Sequence, residues 1–217
     1  MKKRSLAMMI ASMALVGAVG VGATLAYLSD STGSLTNTFT VGNGINITLT
    51  EQDVTDATKR VEADTTDAAQ SYGEFLPGDS QTKDPMVTVK KDSSNCYVFM
   101  YVTGVDELQA KNFTVGGWSD SWKLVEAQDN GVDGLYVYVD NQGAAKVVEK
   151  NVADQDLAAL FDTVTYNASA DGTDVLTDAE KIVVKAAAVQ ADIQNVTSAY
   201  ETALGEAKGA FGLTTQQ

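Results

Sequence analysis

Within 217 residues the chain carries 29 Asp and Glu against 15 Lys and Arg, one cysteine and no histidine, for a formal net charge of −14. Without histidine the chain cannot by itself build a Ser–His–Asp triad, a His-Glu-x-x-His zinc site or a Cys–His dyad. One cysteine excludes an internal disulfide, and the excess of acid repels nucleic acid and anionic lipid, which are held by clustered Lys and Arg.

In chain order, Met1-Lys2-Lys3-Arg4 is a basic patch followed by an apolar run through Val16. The run thins at Gly17, Gly20 and Gly22 and ends in the small residues Ala23-Thr24-Leu25-Ala26. These are the three parts of a secretory signal peptide over residues 1–26, with Thr24 and Ala26 three residues and one residue before the cut and Tyr27 just after it. An uncleaved membrane anchor is the competing reading, since residues 5–26 are uncharged and nearly long enough to span. The glycines and the lack of a basic stop-transfer cluster weigh against it. The leader's charges are all basic, so the chain left after cleavage is more acidic still.

Residues 27–42 read as an N-terminal strand segment and residues 43–217 as one β domain. Leu35, Phe39 and Val41 share one parity, and Ile45, Ile47 and Leu49 resume the alternation after Gly42-Asn43-Gly44. Such period-two patterns describe half-buried strands. Residues 51–71 have no clear period and read as a loop; Leu76-Pro77-Gly78-Asp79 is a turn. Residues 86–90 and 96–102 read as strands, the second apolar on both faces and hence central, with Cys96 a small buried core residue. Residues 118–126 and 135–139 flank a hairpin loop at Asn130-Gly131-Val132-Asp133-Gly134. Leu157, Leu160 and Phe161 predict a helix over residues 154–161, and Ser198 with Glu201 has capping-box spacing for a C-terminal helix. Residues 182–189 read as a late strand. Many short strands and few helices predict an all-β protein, an antiparallel β-sandwich with one or two short helices, preceded by a signal-peptide helix.

Chemistry-bearing motifs are scarce. Asp129, Asp133 and Asp140 fall at positions one, five and twelve of a calcium-type loop, but Gly131 at position three offers no ligand and strand follows directly; a hairpin turn is the expected reading, with no metal site and no cofactor. No phosphate-binding or dinucleotide glycine motif is present. No Asp or Glu stands in an apolar setting that would raise its pKa, so catalysis is not expected. Trp118, Trp122 and Tyr136 could form an aromatic platform for a ligand, though core packing is the expected role of each.

A resemblance adds to this. Ala23-Thr24-Leu25-Ala26-Tyr27-Leu28-Ser29-Asp30, Asn37-Thr38-Phe39-Thr40-Val41-Gly42-Asn43 and Ile45-Asn46-Ile47-Thr48-Leu49-Thr50-Glu51 resemble the start of the TasA/camelysin family of Gram-positive surface and biofilm-matrix proteins. Leu76-Pro77-Gly78-Asp79, Pro85-Met86-Val87-Thr88-Val89 and Ala186-Ala187-Ala188-Val189-Gln190-Ala191 fit later segments; Leu25 and Leu28 depart from the aromatics that members often carry. The resemblance implies cleavage after Ala26 by the family's dedicated signal peptidase, a jelly-roll-like sandwich, and assembly into extracellular fibres. In those fibres the freed segment, seated by Leu28, Leu35 and Phe39, would be a donor strand completing the sheet of the next subunit. The metallopeptidase activity described for some camelysin relatives does not carry over to a chain without histidine.

The expectation is a secreted, non-catalytic structural protein of the matrix or cell surface. Its partners would be signal peptidase during export, further copies of itself and other matrix proteins, with membrane contact only through the leader before cleavage. Two rivals stand beside it: a monomeric surface module binding carbohydrate or a divalent cation, and a secreted hydrolase acting through acidic residues.

Overall fold

The computed structural model describes residues 29–31, 44–63, 70–129, 131–177, 180–192 and 196–213. The expected signal-peptide helix, the cleavage residues Thr24, Ala26 and Tyr27, and the donor-strand residues Leu28, Leu35 and Phe39 lie outside them.

The described chain is all-β, with every strand pair antiparallel. Twelve strands run in order as β1 (Ser29–Ser31), β2 (Ile47–Gln52), β3 (Arg60–Glu62), β4 (Ser80–Thr82), β5 (Met86–Val89), β6 (Cys96–Thr103), β7 (Phe113–Gly116), β8 (Trp122–Ala127), β9 (Gly134–Tyr138), β10 (Gln155–Asp156), β11 (Thr163–Tyr166) and β12 (Val183–Gln190). Helix α1 (Val105–Gln109) follows β6, and α2 (Ala199–Ala210) follows β12. One sheet has the order β1-β12-β6-β9-β8, a second β10-β5-β2-β3, and a third β4-β11-β7.

The alternation read in the sequence sets the layers. Ile47 and Leu49 of β2 turn inward with Val87 and Val89 of β5, and Phe113, Val115, Val164 and Tyr166 do the same from the third sheet. All meet the inner face of the five-stranded sheet at Val98, Met100, Val102, Ala186 and Ala188. The apolar run of β6 is explained by its place as the middle strand, with neighbours on both faces. Its other parity faces a second core in which Phe99, Leu135, Val137 and Val189 pack beneath Ala203 and Ala207 of α2. Ala187 of β12 shares the parity of Val189 on the side that α2 covers, whereas Ala186 and Ala188 pack into the first core. Ser198 caps α2 as its spacing predicted, its hydroxyl accepting from the Glu201 N–H at 3.3 Å.

Residues 154–161 do not form the expected helix. Gln155–Asp156 pair with β5, and the Leu157 and Leu160 N–H groups donate to the Val87 and Pro85 carbonyls at 2.9 and 3.0 Å. The three apolar residues are buried, as their spacing implied. They are buried because an irregular strand follows the edge of β5, and its backbone hydrogen bonds go to that strand rather than into a helical turn. The stretch 51–71, read as loop, also holds the end of β2 and all of β3.

Cys96 is fully buried, and desolvation pushes its thiol up to about 12. The native protein is therefore expected to be silent to a thiol-labelling reagent at pH 8 and to react with one equivalent once unfolded in urea. Labelling of the native state at the rate of a free thiol would contradict this packing.

Candidate functional site

The five-stranded sheet has two unlike edges. At one, β8 slips register at a bulge between Leu124 and Glu126, which bends the strand and discourages further pairing. At the other, β12 is eight residues long, and β6 pairs with all eight on its inner side without a register shift. On the outer side β1 covers only three, with Ser29 opposite Val189, Asp30 opposite Ala188 and Ser31 opposite Ala187. Among the described residues no strand covers 183–185 on that side.

Beside that uncovered end lies a cavity of about 900 Å³, reached by Ile182, Val183 and Val184 and walled by Leu49, Phe75 and Phe113. Leu176 and Val183 at its rim are large apolar side chains left about half exposed, at 47% and 46%. One wall is polar. Glu51 continues the inward parity of Ile45, Ile47 and Leu49, which brings a carboxylate to the apolar face. There Lys83 Nζ meets Glu51 Oε2 at 2.6 Å, and Gln70 Nε2 donates to Glu51 Oε1 at 3.0 Å. The Lys83 ammonium also lies 5.5 Å from the centre of the Tyr72 ring. The Tyr72 hydroxyl is buried without a hydrogen-bond partner; burial, and then the charges of Glu51 and Asp84, push its pKa upward. Arg60 fastens the outer end of this wall, donating to Asp84 Oδ2 at 2.6 Å and to the Asp84 carbonyl at 2.8 Å.

The three aspartates of the calcium-type pattern have separate tasks. Asp140 accepts from the Gln142 and Ala144 N–H groups at 2.9 and 3.0 Å, closing a turn. Asp129 occupies a left-handed turn position at φ 47. Asp133 is buried, and its carboxylate accepts from the Gly104 and Val105 N–H groups at 2.8 and 3.0 Å, at the start of α1. Asp106 of α1 returns the favour, accepting from the Val132 and Asp133 N–H groups at 3.0 and 3.1 Å. This reciprocal latch ties the β6–α1 turn to the β8–β9 loop. Desolvation raises the pKa of Asp133, so the expectation that no carboxyl sits in such a setting fails here. Among the described residues, no group of three or more Cys, Asp or Glu is arranged to hold a metal ion.

Of the aromatic trio, Trp122 and Tyr136 are buried, and Trp118 stacks on Tyr136 with ring centres 5.6 Å apart. The Trp122 indole N–H donates to the Ala158 carbonyl at 2.8 Å. Their faces are occupied by one another and by the core. Sequence reasoning missed the Glu51–Lys83–Gln70 group, although an acid on the core parity of β2 was a readable sign that a buried partner was required.

Comparison with protein-family models, with curated proteins and with solved structures finds no match to this chain.

Proposed function

We propose that the chain is an exported, non-catalytic structural protein of the cell surface or extracellular matrix. It assembles into fibres when the segment freed at Ala26 pairs with the sheet edge of a neighbour, in a jelly-roll-like sandwich. The observation that carries this reading is the position of Ser29–Ser31, three residues past the expected cut, against the outer edge of β12. A sheet edge offers unpaired N–H and C=O groups to any extended segment, and an adjoining apolar hollow can receive its side chains. The uncovered 183–185 end beside the cavity provides both. Pairing within one chain and pairing between chains use the same backbone groups, so exchange replaces one set of hydrogen bonds by an equivalent set. Before cleavage the segment is tethered to an apolar leader, which restricts assembly to the exported form.

The test compares a chain starting at Tyr27 with one starting at Asn43, by light scattering and electron microscopy. Only the longer one is expected to polymerise. If both stay monomeric, or if the shorter one forms the same fibres, the donor-strand reading is wrong. The cavity favours one second reading, a monomeric surface module that holds a small ligand such as a carbohydrate. On that reading the melting temperature of both chains would rise with ligand concentration, because only the folded state binds.

A further inference from the structure

The polar wall of the cavity contains more than an ion pair. A buried ammonium needs a carboxylate partner, and Lys83, only 9% exposed, has one in Glu51. That requirement does not explain why the other oxygen of the same carboxylate holds the carboxamide nitrogen of Gln70. The carboxamide is fixed at its other atoms too: its oxygen accepts from the Val54 N–H at 2.7 Å, and its nitrogen also donates to the Gln52 carbonyl at 2.8 Å. An amine, a proton carrier and an amide whose carbonyl is polarised by a backbone donor thus meet at one carboxylate. These are the parts that amide exchange requires.

We infer that Lys83 and Gln70 become joined by an isopeptide bond, with Glu51 as the proton carrier. Glu51 takes one proton from the Lys83 ammonium, and the freed amine pair attacks Cδ of Gln70. The oxygen that gains charge remains on the Val54 N–H. Glu51 delivers that first proton to Nε2, and the C–Nε2 bond breaks with its electron pair leaving on nitrogen as ammonia; the attacking nitrogen then gives its second proton to Glu51, which passes it to the ammonia. An ammonium plus a primary amide have become a secondary amide plus an ammonium ion, with no oxidant and no cofactor, and Glu51 ends as the carboxylate it was.

The bond closes residues 70–83 into a ring that carries Tyr72, Phe75, the turn at 77–78 and β4. A cross-link of that kind restricts the unfolded chain, as a disulfide does. It supplies the staple that a single cysteine cannot, and it does not depend on the redox state of the surroundings.

Mass spectrometry of the purified, cleaved protein tests this without any variant. The intact mass is expected to be one ammonia below the sequence mass. Cleavage at Tyr72 or Phe75 should leave two peptides joined through Gln70 and Lys83. Lys83→Arg, which keeps the charge, and Glu51→Gln, which keeps the shape, should both return the full mass while retaining the circular dichroism of a β protein. A full mass in the unaltered protein overturns the inference. So does an ammonia loss that maps to another residue, or a loss of water, which would mean a direct Lys83–Glu51 amide. The outcome is independent of whether the protein polymerises.

Discussion

Replacing Asp133 by alanine is expected to cost about 3 kcal/mol of folding stability, since each buried N–H left without a partner costs roughly 1–3 kcal/mol. The two stranded donors are the Gly104 and Val105 N–H groups, and neither can turn elsewhere. Gly104 holds φ +87, and a side chain in its place would meet the Lys181 carbonyl, so the turn that aims these donors is fixed by close packing. Asp140→Ala, which opens an exposed turn, should cost less than about 1 kcal/mol. Urea titrations of the two variants give the comparison, and equal midpoints would mean that the latch contributes nothing beyond an ordinary turn.

The same carboxyl makes a pH prediction with a definite sign. Burial raises the pKa of Asp133 in the fold above its ordinary 3.8, so the native state binds this proton more tightly than the unfolded state does. Stability from this group is therefore fully present below 3.8 and is lost as pH rises through the raised folded value. Asp133→Asn, which cannot titrate, lacks this loss. Relative to Asp133→Asn, the wild type should gain stability as pH falls from 7 toward 4, other carboxyls cancelling in the comparison. A wild type that gains nothing, or loses stability, relative to Asp133→Asn on acidification would contradict the assignment.

Phe99→Ala carries the largest expected loss, about 4 kcal/mol, from the lost apolar transfer and the cavity left where the site cannot collapse. Phe99 is completely buried in the middle strand of the five-stranded sheet, opposite Val137, and belongs to the core that α2 covers. That helix holds Gly205 and Gly209 in its interior, which lowers its own tendency to form, so it depends on packing to stay folded. Hydrogen exchange of the α2 amides should accelerate before that of β6 in the Phe99→Ala protein. Val152→Ala is the control, its side chain being 85% exposed, and it should leave the urea midpoint unchanged. A Phe99→Ala midpoint close to that control would refute the second core as a source of stability.

What could be read in the sequence follows from how local each signal is. The alternation of β2, the two-sided apolar run of β6 and the cap at Ser198 are set by neighbouring residues, and each matches the structure. Strands β3 and β4 are three residues each, and β4 is exposed throughout, so neither offers a period to detect. The spacing of Leu157, Leu160 and Phe161 measured burial correctly but not conformation, because partners far away in sequence (Pro85, Val87 and Ser119) supplied the hydrogen bonds. Helix α1 has five residues, and Asp133, which satisfies its first N–H groups, lies 28 residues from Val105. The Glu51–Lys83–Gln70 group had one local trace, an acid at an inward position, whereas its lysine and its glutamine come from two other stretches of chain that only folding brings together.

The pairing of Ser29–Ser31 with β12 joins the beginning of the described chain to nearly its end. The five-stranded sheet therefore cannot be completed until Val189 is available, so during synthesis its first strand waits for its last one. Contacts so distant in sequence make folding slow. Under the proposed export, such slowness would be useful, because the five-stranded sheet cannot close until nearly all of the chain has crossed the membrane.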